Sequence, residues 1–322
     1  MTPELPAALR AALARELEGA SRRDLAGRSA ATTATYRAGG TSASAIRGRG
    51  DALAYAVARL PATYAACAAA LGEARRAARD FAPASLLDAG CGPGGGSWAA
   101  AEAWPGLRRV TWLDASPPFL DLAARLGAGG PAPVRSAETR RGDLLAGDFP
   151  PADLVLASYA LAEIGASAQP AVTDALWAAC QGLLVLVEPG TPAGHVRLLA
   201  ARERLIAAGA RILAPCPQQG DCPLAPPDWC HFAVRLPRSR DHLIAKGAAV
   251  PFEDEKFAYL VAARSSVAAA DPRPRVLARP RAGKPGIELK LCAPEGLETR
   301  FVPRRDKVAH AAARRLDWGD VV

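Results

Sequence analysis

The chain has 322 residues, enough for one large domain or two modest ones, and half are hydrophobic while only 6% are aromatic. Charged residues make up 22% and are set among recurrent apolar runs, which excludes a disordered chain, and the net charge of +8 rests on arginine far more than on lysine. No run approaches the ~18 apolar residues of a membrane span, and seven cysteines are an odd count for a disulfide scaffold, so a basic cytoplasmic protein with no membrane partner is expected.

Residues 1–80 read as an N-terminal helical region. Glu4, Glu16, Glu18 and Asp24 interrupt the arginines of the first 25 residues, which argues against a targeting segment. Gly39-Gly40 and Gly48-Arg49-Gly50 are turn signals. Asp51 is placed to cap a helix to Leu60, and Pro61 to open a second one reaching about Asp80. Charge is uneven along the chain: residues 1–80 and 271–322 carry +5 each, and residues 81–270 carry −2. Basic flanks suit contact with an RNA phosphate backbone, with Arg47, Arg49, Arg279 and Arg281 as candidates.

From residue 81 to about 265, short apolar runs alternate with amphipathic helices. Strands are predicted at Ser85–Asp88, Arg109–Leu113, Leu154–Ser158, Leu183–Glu188, Arg211–Ala214 and Lys256–Ala262. That alternation predicts an α/β fold with a mostly parallel sheet. The loop Leu86-Leu-Asp-Ala-Gly-Cys-Gly-Pro-Gly94 leaves a strand and enters a helix. Gly90, Gly92 and Gly94 let the backbone turn sharply and approach a ligand. Asp88 suits a ligand bearing an ammonium or sulfonium, Asp114 ends the next strand where it can accept ribose hydroxyls, and Asp143 is placed to accept from an adenine amine. Ser158, ending the strand after Asp153, joins this set. Together these residues resemble the class I S-adenosylmethionine-dependent methyltransferases, a Rossmann-like fold, and the resemblance implies S-adenosylmethionine as cofactor.

Catalytic residues are not assigned by the sequence. The segment Asp153-Leu-Val-Leu-Ala-Ser-Tyr-Ala-Leu-Ala-Glu163 lacks the Pro-Pro-aromatic grip of exocyclic-amine methyltransferases and the cysteine nucleophile of pyrimidine C5 enzymes. Tyr159 is a candidate to stack on a base or on the cofactor edge. Glu163 is a candidate base or a solvated helix start.

A Pro-rich insertion, 214–235, holds Cys216, Cys222 and Cys230, spaced C-x5-C-x7-C. It has little apolar material to hold it together, and a bound metal would supply that constraint. His231 and Cys292 are both candidates for the fourth ligand. Zinc and an iron–sulfur cluster both remain open on spacing, with the wide intervals favouring iron. Cys67, Cys91 and Cys180 read as structural thiols. Beyond residue 266 the pattern predicts a small basic β appendage to residue 322, with β runs at Ile287–Cys292 and Glu298–Val302 and a short helix from Lys307 to Trp318.

A closer resemblance rests on several segments found together. They are the glycine loop, Ala54-Tyr55 through Arg59-Leu60-Pro61-Ala-Thr-Tyr64, Cys-Pro…Cys-Pro-Leu…Asp-Trp-Cys-His-Phe, Phe252-Glu-Asp-Glu-Lys-Phe257 and Leu291-Cys-Ala-Pro-Glu-Gly296. This set is similar to the family of mitochondrial methyltransferase-like small-ribosomal-subunit assembly factors and their bacterial relatives. The resemblance implies the small ribosomal subunit and its rRNA as partners. It also implies a [4Fe-4S] cluster on Cys216, Cys222, Cys230 and Cys292. Two other functions are weighed: a non-catalytic RNA-binding assembly factor, and a small-molecule methyltransferase with a structural zinc.

Overall fold

The computed structural model describes residues 3–322. Helices α1 (Ala7–Glu16), α2 (Arg22–Arg37), α3 (Ser42–Ala45) and α4 (Arg49–Ala77) come first. The expected break at Pro61 is absent: α4 is one helix of 29 residues with Pro61 inside it. Its cap is Gly48, and Asp51 lies in the first turn, where it accepts the Arg47 amide at 3.0 Å and an Arg28 guanidinium at 2.8 Å. A proline costs an interior helix about 3 kcal/mol. Here the core outweighs it, because a face of small residues, Ala52, Ala54, Ala58, Ala62, Ala66 and Ala70 among them, is buried along the whole length.

The chain then alternates: β1 (Ser85–Ala89), α5 (Gly95–Ala103), β2 (Arg109–Asp114), α6 (Pro117–Gly127), α7 (Ala132–Arg135), β3 (Glu138–Arg141), β4 (Ala152–Ser158), α8 (Gln169–Ala179), β5 (Cys180–Pro189), α9 (Pro192–Ala207), β6 (Arg211–Ala214), β7 (Phe232–Pro237), α10 (Arg240–Lys246) and β8 (Phe252–Ala263). The strands form one sheet of order β3-β2-β1-β4-β5-β8-β6, with β7 also on β8. Strands β1 to β5 run parallel, and β8 is antiparallel to β5, β6 and β7. Central strands such as Leu154–Ala157 and Leu183–Val187 are buried, as expected of a sheet with helices on both faces. Strand β3, Glu-Thr-Arg-Arg, escapes the apolar pattern because it is an exposed edge, where charge protects against stray pairing.

Strands β6 and β7 occupy the same edge of β8, one pairing with Val261–Ala263 and the other with Phe252–Phe257. The chain leaves that edge after Ala214 and rejoins it at Phe232, so residues 215–231 bulge out over the gap between them. This is the cysteine segment.

A second, antiparallel sheet follows: β9 (Arg275–Val276), β10 (Arg281–Ala282), β11 (Gly286–Ala293) and β12 (Gly296–Pro303), closed by α11 (Lys307–Ala313). Val276, Ile287, Leu289, Leu291, Val302 and Ala313 give it a small core of its own. Cys292 pairs in register with Arg275, at the end of β11 that meets the cysteine segment. Among the described residues, no helix is long and apolar enough to cross a membrane.

Candidate functional site

The glycine loop joins β1 to α5. Gly90 and Cys91 both donate their amides to Leu113 O, at 2.8 and 3.1 Å, which pins the loop to the end of β2. Gly90 has φ +74°, and a Cβ there would come within 2.9 Å of the Ala160 methyl. Gly92 has φ +51°, but a Cβ there would meet nothing within 4 Å, so its backbone is open to an approaching group. Gly94, at φ +83°, turns the chain into α5.

Asp88 is fully buried beneath this loop. Its Oδ2 accepts the Ser97 hydroxyl at 2.7 Å, and Ser97 Oγ in turn accepts Trp112 Nε1–H at 2.9 Å. Oδ1 has no hydrogen-bond partner among the described residues. Burial pushes the Asp88 carboxyl up to about 6. An unsatisfied buried carboxylate oxygen favours a cationic ligand over an anionic one. Asp114, at the end of β2, accepts the Gly92 amide at 2.8 Å and the Ser116 amide at 2.8 Å, one on each oxygen. Each oxygen keeps a lone pair for a ribose hydroxyl. Burial raises the Asp114 carboxyl as well. Asp143 is exposed and accepts the Leu145 amide at 2.9 Å, capping a short turn after β3. Ser158 is buried at the end of β4, beside the Cys67 thiol.

The polar groups beyond the strand ends include several the sequence did not single out. Glu163 is half-buried and not a solvated helix start. Its carboxylate accepts the Ser42 amide at 2.9 Å, the Ser42 hydroxyl at 2.6 Å and the Tyr36 hydroxyl at 3.2 Å. Tyr159 stands at φ +57°, and its hydroxyl donates to Glu255 Oε1 at 2.8 Å. Burial raises the Glu255 carboxyl, which suits it to hold a proton. The carboxylates of Asp114, Glu163 and Glu255 all act on the Tyr55 phenol, placing the four groups in one neighbourhood. Three carboxylates there suit a ligand that carries positive charge. The signal for Glu255 was present in Phe252-Glu-Asp-Glu-Lys-Phe257; Tyr36 and Ser42 gave none, because they reach Glu163 from more than a hundred positions away.

A second constellation lies on the edge of β8. Cys216, Cys222, Cys230 and Cys292 line one cavity of ≈ 40 Å³, together with Arg202, Tyr259 and Arg275. His231 is not in its lining; the ring stacks on Trp229 at 4.8 Å and meets Trp318 edge-on at 4.7 Å. The thiols act on one another: Cys230 is raised by burial first and then by the other three, and Cys292 is pushed up to about 12 by burial first and then by Cys216 and Cys222. Two buried arginines oppose this. Arg275 is enclosed, donating to Pro215 O at 2.9 Å and Gly319 O at 2.7 Å and pairing with Glu73 Oε2 at 2.9 Å. Arg202 donates to Gln218 O at 2.9 Å and helps hold down the Cys216 thiol. The Nε–H of Arg202 and the hydroxyl of Tyr259 are buried without a partner among the described residues. Buried cations beside four cysteines, with spare donors aimed at nothing in the protein, fit a donor set that works as thiolates. Among the described residues, no group of three or more His, Cys, Asp or Glu side chains is arranged to hold a metal ion.

Of the arginines expected to meet RNA, all four are exposed. Arg49 pairs with Glu16 at 3.3 Å and Arg281 with Glu288 at 3.4 Å. Cys67, Cys91 and Cys180 are buried and unpaired.

Human METTL17, described as a mitochondrial ribosome assembly protein, is 31% identical over 297 residues; the match takes in 85% of this chain and 62% of the relative, so the chain spans less than two thirds of that protein. Among solved structures, the magnesium protoporphyrin IX methyltransferase of Synechocystis PCC 6803 with bound SAM aligns at TM-score 0.41 and 17% identity, over 63% of this chain and 78% of that one. The precorrin-6y C5,15-methyltransferase of Geobacter metallireducens GS-15 aligns at TM-score 0.40 and 18% identity, over 62% and 87%. Residues 49–322 match the family described as mitochondrial small ribosomal subunit Rsm22, and the chain belongs to that Rsm22 family.

Proposed function

We propose that this chain is an S-adenosylmethionine-binding, iron–sulfur factor of methyltransferase fold that acts on or with the RNA of the small ribosomal subunit. The observation that carries the reading is the single cavity lined by four cysteines and flanked by buried Arg202 and Arg275. Two cations beside four thiolates suit a [4Fe-4S] cluster, whose ligands each bind a separate iron around a shared volume. A zinc ion would draw the sulfurs to one point. Cys216, Cys222, Cys230 and Cys292 would be the ligands, with Arg202 Nε–H and the Tyr259 hydroxyl free to donate to the core sulfurs.

For the second group, Gly90, Gly92 and Gly94 would cradle the cofactor, Asp88 would suit its ammonium or sulfonium charge, Asp114 would accept its ribose hydroxyls and Asp143 its adenine amine, with Ser158 completing the set. When bound, S-adenosylmethionine supplies an electrophilic methyl group on a sulfonium. Positioning of the acceptor can then provide most of the acceleration, with the Tyr159–Glu255 pair a group able to hold a proton. Residues 1–80, 81–265 and 266–322 form the helical, cofactor and appendage parts of this design. The human relative is named as mitochondrial; for this chain we propose the cytoplasm, where thiol ligands stay reduced.

One observation favours a second reading, a non-catalytic assembly factor that uses the pocket structurally: Glu163, the carboxylate weighed as a base, is already engaged by three donors from Tyr36 and Ser42. Calorimetry with S-adenosylmethionine separates the two in part, since no binding would remove the enzyme reading. The cluster has a direct test. Anaerobically purified protein should be brown, contain about four irons and four sulfides per chain, and lose its visible absorbance in Cys222→Ser. A colourless protein with one zinc per chain would overturn it. Co-sedimentation with small subunits tests the partner.

A further inference from the structure

The groove beside the cysteine segment carries more cation than the fold uses. Its ≈ 1040 Å³ lie between the C-terminal end of α4, the start of β6 with residues 215–219, and the segment 268–273. Six arginines line it against Glu73, Asp80 and Asp271. Two of the six are accounted for, because Arg275 and Arg76 both pair with Glu73. The other four, Arg75, Arg79, Arg211 and Arg273, are exposed, and among the described residues none is in an ion pair. Arg75 and Arg273 donate only to the backbone carbonyls of Ala103 and Val322.

The carbonyl end of a helix normally repels anions. Here the segment 268–273 folds over the end of α4, and the Ala270 amide donates to Ala77 O at 2.8 Å, which blunts that repulsion. None of Arg47, Arg49, Arg279 or Arg281 lines this groove.

We propose that this groove binds the phosphate backbone of a single RNA strand. Four free guanidiniums drawn from three separate stretches of chain are too many and too dispersed for one phosphate, and they suit a row of them. The guanidinium fork matches phosphate oxygens in pairs. No aromatic side chain lines the groove, so it offers no stacking platform and reads backbone without base identity. The assignment rests on the reading that the partner is RNA.

The test is fluorescence anisotropy with a labelled mixed-sequence RNA oligonucleotide and with oligouridine, across a salt series, on the full chain purified anaerobically. In the triple variant Arg79→Gln, Arg211→Gln, Arg273→Gln, affinity should fall at least tenfold at low salt. The slope of log affinity against log salt should flatten by about 2, at about 0.7 per lost phosphate contact for a single strand. Wild-type affinity for the two RNAs should agree within about threefold. Far-ultraviolet circular dichroism and the visible spectrum verify that the variant is folded. RNA binding by the wild type with an unchanged slope in the variant overturns the groove and leaves the ribosomal reading standing. Absence of any RNA binding by the wild type overturns both. With labelled polyglutamate as a third probe, loss of its binding in the variant with RNA binding retained makes an acidic protein the occupant and likewise overturns the proposal.

Discussion

Replacing Asp88 with asparagine keeps the side chain's shape and its bond from Ser97 while removing the ionisable proton. Burial raises the Asp88 carboxyl from an ordinary 3.8 to about 6. At about 1.36 kcal/mol per pH unit, that rise is worth about 3 kcal/mol. Below pH 3.8 the carboxyl is protonated in both folded and unfolded chains, and there is no penalty. Between 3.8 and 6 the unfolded chain releases its proton while the folded chain retains it, so stability falls as pH rises. Above 6 the full penalty persists. The substituted amide does not titrate, and its nitrogen, left without a partner where Oδ1 stood, adds only a pH-independent cost of about 1 kcal/mol. Urea unfolding of wild type and Asp88→Asn at about pH 4, 5.5 and 7 should therefore show the variant gaining about 2.4 kcal/mol relative to wild type across that range. Other titrations cancel in the difference. Parallel pH profiles would refute the argument that Asp88 sits charged, buried and half-satisfied.

Three further outcomes are expected. Gly90→Ala, strained at φ +74° and crowded by Ala160, should destabilise the fold by more than about 1 kcal/mol; Gly92→Ala, with open space around it, should cost less and chiefly weaken S-adenosylmethionine binding, and calorimetry alongside urea unfolding would expose equal effects. Arg275→Met leaves the Pro215 and Gly319 carbonyls without their donor and Glu73 with only the exposed Arg76, and should cost about 2–3 kcal/mol, so a loss under about 1 kcal/mol would show that the pair contributes little. Glu163→Ala removes the acceptor of three donors from Tyr36 and Ser42, and trypsin cleavage at Arg37 and Arg47 should speed up on the order of tenfold; an unchanged rate would mean the segment is held by other contacts.

What the sequence disclosed follows the physics of each element. The central strands were legible because they are buried on both faces and therefore unbroken apolar runs, and the glycine loop because positive φ leaves few residue choices. Strand β3 was not, since an exposed edge has no reason to be apolar. The continuity of α4 through Pro61 was hidden because propensity registers the local penalty and not the core that offsets it. The cysteine segment announced itself by composition, and Cys292 entered as one of two candidates. Arg202 and Arg275 gave no sign, since arginine ordinarily faces water and only the assembled cavity shows that these two do not. The Arg-Pro run at 271–275 put Arg273 among residues suited to phosphates, but the groove was not legible, because Arg79, Arg211 and Arg273 lie on separate stretches and meet only in three dimensions.

The register that sets Cys292 opposite Arg275 has a consequence for synthesis. A ribosome making this chain releases the glycine loop, the central strands and three of the four clustered cysteines well before β11 emerges. The parallel sheet can form while the nascent cysteine segment still lacks its last thiol and its enclosed guanidinium. Both arrive together, on neighbouring strands of the final sheet. The four-cysteine cavity can close only after both β9 and β11 have been made, well behind the central strands.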